Sequence, residues 1–111
     1  MYLTAEQRGE ILVVRAMQDR IDAASAIQFK DRMREITQVA SSRVLLDMSQ
    51  VAFLDSSGLG AVVAVLKALG PDRKLELSGL TPTVQKVFRL TRMDSVFTIH
   101  AEIPDGLRDA G

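Results

Sequence analysis

The sequence predicts an α/β fold: a mixed, mostly parallel β-sheet of four to five strands with amphipathic helices, in the order β-β-α-β-α-β-α-β. Three observations carry this reading. Short runs rich in β-branched residues, such as 11–17 and 43–47, alternate with stretches of helical periodicity. Alternation of strand and helix implies right-handed crossovers and therefore parallel neighbours. The first two strands are separated only by Gln7-Arg8-Gly9-Glu10, which is too short for a crossover, so that pair is antiparallel.

Taken in order, residues 2–6 read as a short edge strand, and Gly9 admits the positive φ of a hairpin turn. Residues 11–17, Ile-Leu-Val-Val-Arg-Ala-Met, are apolar without strict alternation, as in a strand buried on both faces. Asp19-Arg20-Ile21-Asp22 interrupts that strand, and Asp22 is a suitable cap for the next helix. There Ala26, Phe29, Met33, Ile36 and Ala40 recur at helical spacing, with Lys30, Asp31, Arg34 and Glu35 mostly on the other side. Ser41-Ser42 ends the helix, and 43–47 is the next strand. Residues 59–69 are apolar nearly all round, so the second helix is expected to be largely covered. Gly70-Pro71-Asp72 supplies its C-cap and turn. Leu75 and Leu77 alternate with Lys74, Glu76 and Ser78, the pattern of a half-buried strand. Thr81-Pro82 is a cap followed by proline at the first helical position, and Val84, Val87, Phe88 and Thr91 mark one face of a short helix. Residues 96–99 form a last strand, and Pro104 and Gly106 break up the tail from Ala101.

Bulk properties exclude several function classes. A chain of 111 residues, 47% hydrophobic and 25% charged, suits a single domain over 1–111 with a buried core. Fourteen basic and fourteen acidic side chains cancel, which argues against a nucleic-acid or anionic-membrane binder working by bulk charge. The absence of cysteine excludes disulfides and thiolate metal sites. One histidine, His100, and scattered carboxylates show no metal-ligand spacing. No signal-peptide pattern and no membrane-spanning apolar run is present, which favours a cytoplasmic location.

The unusual stretch is Asp55-Ser56-Ser57-Gly58-Leu59-Gly60, between two apolar runs and opening the second helix. As a plain N-cap it is worth roughly 0.5–2 kcal/mol. A cap does not account for Gly60, since glycine costs roughly 1 kcal/mol against alanine inside a helix; close approach of a partner's backbone would. Gly58-Leu59-Gly60 resembles the start of a dinucleotide loop, but Val63 occupies the place of the third glycine, and no P-loop is present. A nucleophile elbow needs glycine two residues before and after its serine. Ser56 has Leu54 and Gly58 there, and Ser57 has Asp55 and Leu59. What remains is a serine that is a substrate rather than a catalyst. A phosphate of roughly −1.5 to −2 charges at a helix N-terminus is tolerated by the domain itself and obstructs a partner docked on the same face.

These residues resemble the STAS-domain anti-sigma factor antagonists (anti-anti-sigma factors), the binding modules of bacterial partner-switching systems. The resemblance spans about residues 11–99. Phe53-Leu54-Asp55-Ser56-Ser57-Gly58-Leu59-Gly60 is similar to that family's signature around its phosphorylated serine. Ile21-Asp22-Ala23-Ala24-Ser25-Ala26 resembles its approach to the first helix, and residues 84–88 and 90–97 resemble its closing helix and strand. The resemblance implies a STAS fold, phosphorylation at Ser56, and Ser57 as helix cap or neighbour. It implies a partner-binding face of Asp22, Asp55, Ser56, Ser57, Gly58, Leu59 and Gly60. The implied partners are an anti-sigma factor with histidine-kinase-like serine kinase activity, which uses ATP, and a metal-dependent serine/threonine phosphatase that restores the switch. No cofactor, catalysis, direct nucleic-acid contact or membrane contact by this chain is implied. Asp19-Arg20 stands where the family often has Gly-Glu, Arg92 stands where a glycine often follows Leu90-Thr91, and the family's final helix is expected to be reduced or absent after His100. The alternatives are a STAS subunit of a membrane lipid transporter or a signalling scaffold, without a phosphorylation switch, and a small nucleotide-binding domain.

Overall fold

A computed structural model of the chain describes residues 2–103. Five strands form one sheet: β1 (Leu3–Arg8), β2 (Ile11–Ala16), β4 (Arg43–Asp47), β6 (Lys74–Ser78) and β7 (Thr98–His100), in the spatial order β1-β2-β4-β6-β7. β1 and β2 are antiparallel and the other pairs are parallel, as the sequence predicts. The hairpin turns at Gly9, with φ +63°. Helices α1 (Ala26–Ile36), α2 (Ser56–Leu69) and α3 (Pro82–Leu90) share one core with the sheet. Phe29 and Met33, Val62 and Val65, and Val84 and Phe88 meet Leu12, Val14, Val44, Leu46, Leu75 and Leu77 there. Phe88 also packs edge-on against Phe97, with ring centroids 5.8 Å apart, which ties α3 to the approach of β7.

The observed order is richer than the predicted one. Two further strands, β3 (Arg20–Ile21) and β5 (Phe53–Leu54), form a separate parallel pair; at two residues each they carry no readable periodicity. α1 stops at Ile36 rather than near Ala40; Thr37 caps it, with both its N–H and its hydroxyl on the Met33 carbonyl, the latter at 2.7 Å. α2 starts at Ser56 and is not covered all round, for Gly60, Lys67 and Ala68 lie in solvent. A 3₁₀ turn at Met93–Ser95 precedes β7, which is shifted to 98–100, and Arg92 takes φ +60° where the family often has glycine.

β6 is not half-buried. Leu75, Glu76, Leu77 and Ser78 are all buried. Glu76 tolerates this because the guanidinium of Arg43 on β4 donates two hydrogen bonds to its carboxylate, through Nε and through Nη2, the latter at 2.9 Å. His100 on β7 adds a contact at 2.8 Å from Nε2 to Oε1. Register explains the meeting: Glu76 sits opposite Leu45 and Thr98, two places from Arg43 and His100, so all three side chains leave one face of the sheet. The expectation of a reduced or missing final helix falls largely on residues 104–111, which lie outside the described residues.

Candidate functional site

The site is built from two loops that leave the carboxyl ends of β2 and β4, where α/β sheets usually place function. The small β3–β5 pair joins them. The Asp19 carbonyl accepts from the N–H groups of Ala52 and Phe53 at 2.8 and 3.0 Å, and Ile21 lies opposite Leu54, both buried. α2 then lies directly against β3. A Cβ on Gly58 would stand 2.0 Å from the Ile21 carbonyl oxygen and 2.9 Å from the Leu54 side chain, so only glycine permits this approach.

Asp55 locks the assembly. It is the N-cap of α2: Oδ1 accepts from the Gly58 N–H at 2.9 Å, while Oδ2 accepts from the Ala23 N–H in the first loop at 3.1 Å. Ser57 is therefore not the cap. Ser56 and Ser57 are the first two helical residues, both exposed. Their N–H groups have no acceptor within the helix, as at any helix start.

Asp22 organises the first loop one turn ahead of α1 instead of capping that helix directly. Its carboxylate accepts from the Ala24 N–H at 3.1 Å, and its carbonyl accepts from the N–H groups of Ser25 and Ala26. The Ser25 hydroxyl accepts from the Asp22 N–H at 3.1 Å and donates to the Asp22 carboxylate at 3.3 Å. Arg20 Nε donates to the same carboxylate at 3.1 Å. That hydrogen bond is the foremost cause holding the Asp22 carboxyl below the usual aspartate value; desolvation opposes it, and Ser25 and the Ala24 N–H assist.

The structure thus brings Asp22 together with the 55–60 stretch. Ser56, Ser57 and Gly60 are exposed, Asp22 and Asp55 half-buried, and Gly58 and Leu59 buried. A Cβ on Gly60 would meet nothing within 4 Å, so packing within the chain does not require glycine there. Two residues of the site, Arg20 and Phe53, were given no role in it from sequence. Arg20 stacks over the Phe53 ring, 4.3 Å from guanidinium carbon to ring centre, on a ring that is 37% exposed. The only signal was an aromatic residue just ahead of a polar helix start. Residues 17–25 and 52–60 together contain one cation, Arg20, and three carboxylates, Asp19, Asp22 and Asp55. The site is an open surface. A groove of about 440 Å³ lies elsewhere, between α1 and the C-terminal half of α2. No group of three potential metal ligands occurs among the described residues, and no helix among them is long and apolar enough to cross a membrane.

The STAS domain family model matches residues 2–106. An anti-sigma-B factor antagonist of Listeria monocytogenes is 33% identical over 81 residues, spanning 71% of this chain and 70% of the relative. The crystal structure of an anti-sigma factor antagonist from Mycobacterium paratuberculosis superposes with a TM-score of 0.84 at 23% identity, over 96% of this chain and 90% of that one. A structure of the Bacillus cell fate determinant SpoIIAA in its phosphorylated form does so with a TM-score of 0.64 at 23% identity, over 96% of each chain. With fold, motif and family in agreement, the chain belongs to the STAS domain family and is a relative of the anti-sigma factor antagonists.

Proposed function

We propose that this chain is an anti-sigma factor antagonist working as a phosphorylation-controlled binding switch, without catalytic activity of its own. The unphosphorylated form binds an anti-sigma factor that is also a serine kinase, so releasing a sigma factor. In the modifying step, Ser56 Oγ attacks the γ-phosphorus of ATP held by the kinase. An O–P bond forms, the bond to ADP breaks, and the hydroxyl proton leaves to a base on the kinase. A metal-dependent phosphatase hydrolyses the ester and restores binding.

The observation that carries this reading is the placement of Ser56: exposed at the first position of α2, directly after Asp55, whose carboxylate ties the helix start to the loop that carries Asp22. The existence of a phosphorylated form of a protein with this fold supports it. The helix start offers a phosphate main-chain N–H groups and the positive end of the helix dipole, so the domain stays folded while a docked partner meets a dianion. If that encounter costs ~3 kcal/mol, affinity falls roughly a hundredfold.

The test is incubation with the cognate kinase and ATP, phosphate mapping by mass spectrometry, and titration of kinase binding to variants. Ser56→Ala is expected to bind like the parent chain and resist modification, and Ser56→Asp to bind weakly. Phosphate on another residue, or full affinity in Ser56→Asp, speaks for a STAS unit without this switch.

A further inference from the structure

We infer that Arg20 is the residue that takes up the phosphoryl group on Ser56, leaving Asp22 and the Phe53 ring to do so. The inference rests on the reading of Ser56 given above and adds a second consequence of modification: the docking face is rearranged as well as recharged.

The argument starts from charge. A dianion on Ser56 enters a neighbourhood whose two loops hold Asp19, Asp22 and Asp55 against Arg20 as the one cation. Geometry puts that cation on the strand paired with the one that leads into Ser56. β3 and β5 run parallel, with Arg20 beside Phe53, and parallel neighbours lie about 4.8 Å apart. From there Arg20 leans forward along its own strand to Asp22, two residues on. In a parallel pair, forward along β3 is also forward along β5, towards Asp55 and Ser56. The guanidinium is therefore already drawn to the edge of the pair at which α2 begins. Arg20 is held to Asp22 through Nε alone, a single point from which the guanidinium can swing to offer two nitrogens together to an oxyanion, the arrangement suited to phosphate.

The exchange is favourable by simple ranking. A phosphate dianion outcompetes a single carboxylate for the same guanidinium, and the Asp22–Arg20 bond is partly exposed, with side chains 57% and 20% accessible for Arg20 and Asp22. Once Arg20 has left, Asp22 keeps only its hydrogen bonds from the Ala24 N–H and the Ser25 hydroxyl, without a counter-charge from Arg20, and the face of Phe53 is uncovered. A partner fitted to the capped ring and neutralised Asp22 meets a different surface.

The test needs no partner protein. Phosphoserine is installed at position 56 of the full chain by genetic-code expansion, and the phosphate is titrated by ³¹P NMR in the parent chain, Arg20→Ala and Arg20→Lys. An unperturbed phosphoserine loses its second proton near about pH 6. A neighbouring guanidinium is expected to lower that midpoint in the parent chain by roughly one pH unit relative to Arg20→Ala, with Arg20→Lys between them. Coincident titrations in the parent and Arg20→Ala chains overturn the inference and leave phosphorylation at Ser56 standing. Absence of phosphate at Ser56 after incubation with kinase overturns the switch, whichever way the ³¹P titrations fall.

Discussion

Asp55 has two carboxylate oxygens, and the fold engages both. One satisfies a helix-start N–H that would otherwise be orphaned, and the other holds the neighbouring loop by the Ala23 N–H. Asp55→Ala removes both bonds and is expected to lower unfolding stability by about 1–2 kcal/mol in urea titrations. Asp55→Asn keeps a single acceptor oxygen and turns its amide group towards a second donor, so its loss is expected to fall between parent and alanine. A cap was legible in Asp-Ser-Ser-Gly because those residue types favour helix starts. Which of them caps was not, since the choice is decided by Ala23, 32 residues away. The same limit hid Arg20, whose position in a polar break gives no hint that a ring from another loop lies beneath it.

At the scale of elements, the two glycines of the motif do opposite things. Gly58 lets the first turn of α2 rest on β3, with backbone where a side chain would be. Gly58→Ala must push β3 off the helix and is expected to cost about 3 kcal/mol, with partner binding lost because both loops shift. Gly60 faces open space. Gly60→Ala is expected to stabilise the isolated domain by roughly 0.5–1 kcal/mol through helix propensity alone. If Gly60 is kept for a partner's approach, the same substitution weakens binding in a titration while raising the urea midpoint. The main sheet was readable because each long strand carries its own apolar run. β3 and β5 were not: two residues make no period, and the pair exists only through long-range bonds to Asp19 and Ile21.

Across the whole molecule, the Glu76 cluster joins β4, β6 and β7 through a buried carboxylate. Alternation in sequence suggested solvent at this position, because nothing local shows that Arg43 and His100 converge on it. The Arg43 hydrogen bond foremost, with help from His100 and against desolvation, holds Glu76 below its ordinary value of 4.5. The folded chain therefore binds this proton less readily than the unfolded chain. The stability it contributes is present above about pH 4.5 and is lost as pH falls through the lower folded value. Urea unfolding at about pH 7 is expected to find Glu76→Gln roughly 2 kcal/mol less stable than the parent. The gap should narrow on acidification, because only the parent has this charge to lose.

The first loop of the site is held by its main chain. The Ala23 N–H goes to Asp55, the Ala24 N–H to Asp22, and the N–H groups of Ser25 and Ala26 to the Asp22 carbonyl, while the methyl groups of Ala23 and Ala24 stand in solvent. Shape and identity are thereby separated at these two positions. The side chains at 23 and 24 can be exchanged, and with them what this loop presents to solvent, while the scaffold beneath stays the same. Domains sharing this architecture have, at these two positions, a surface that is free to diverge without a cost to the fold.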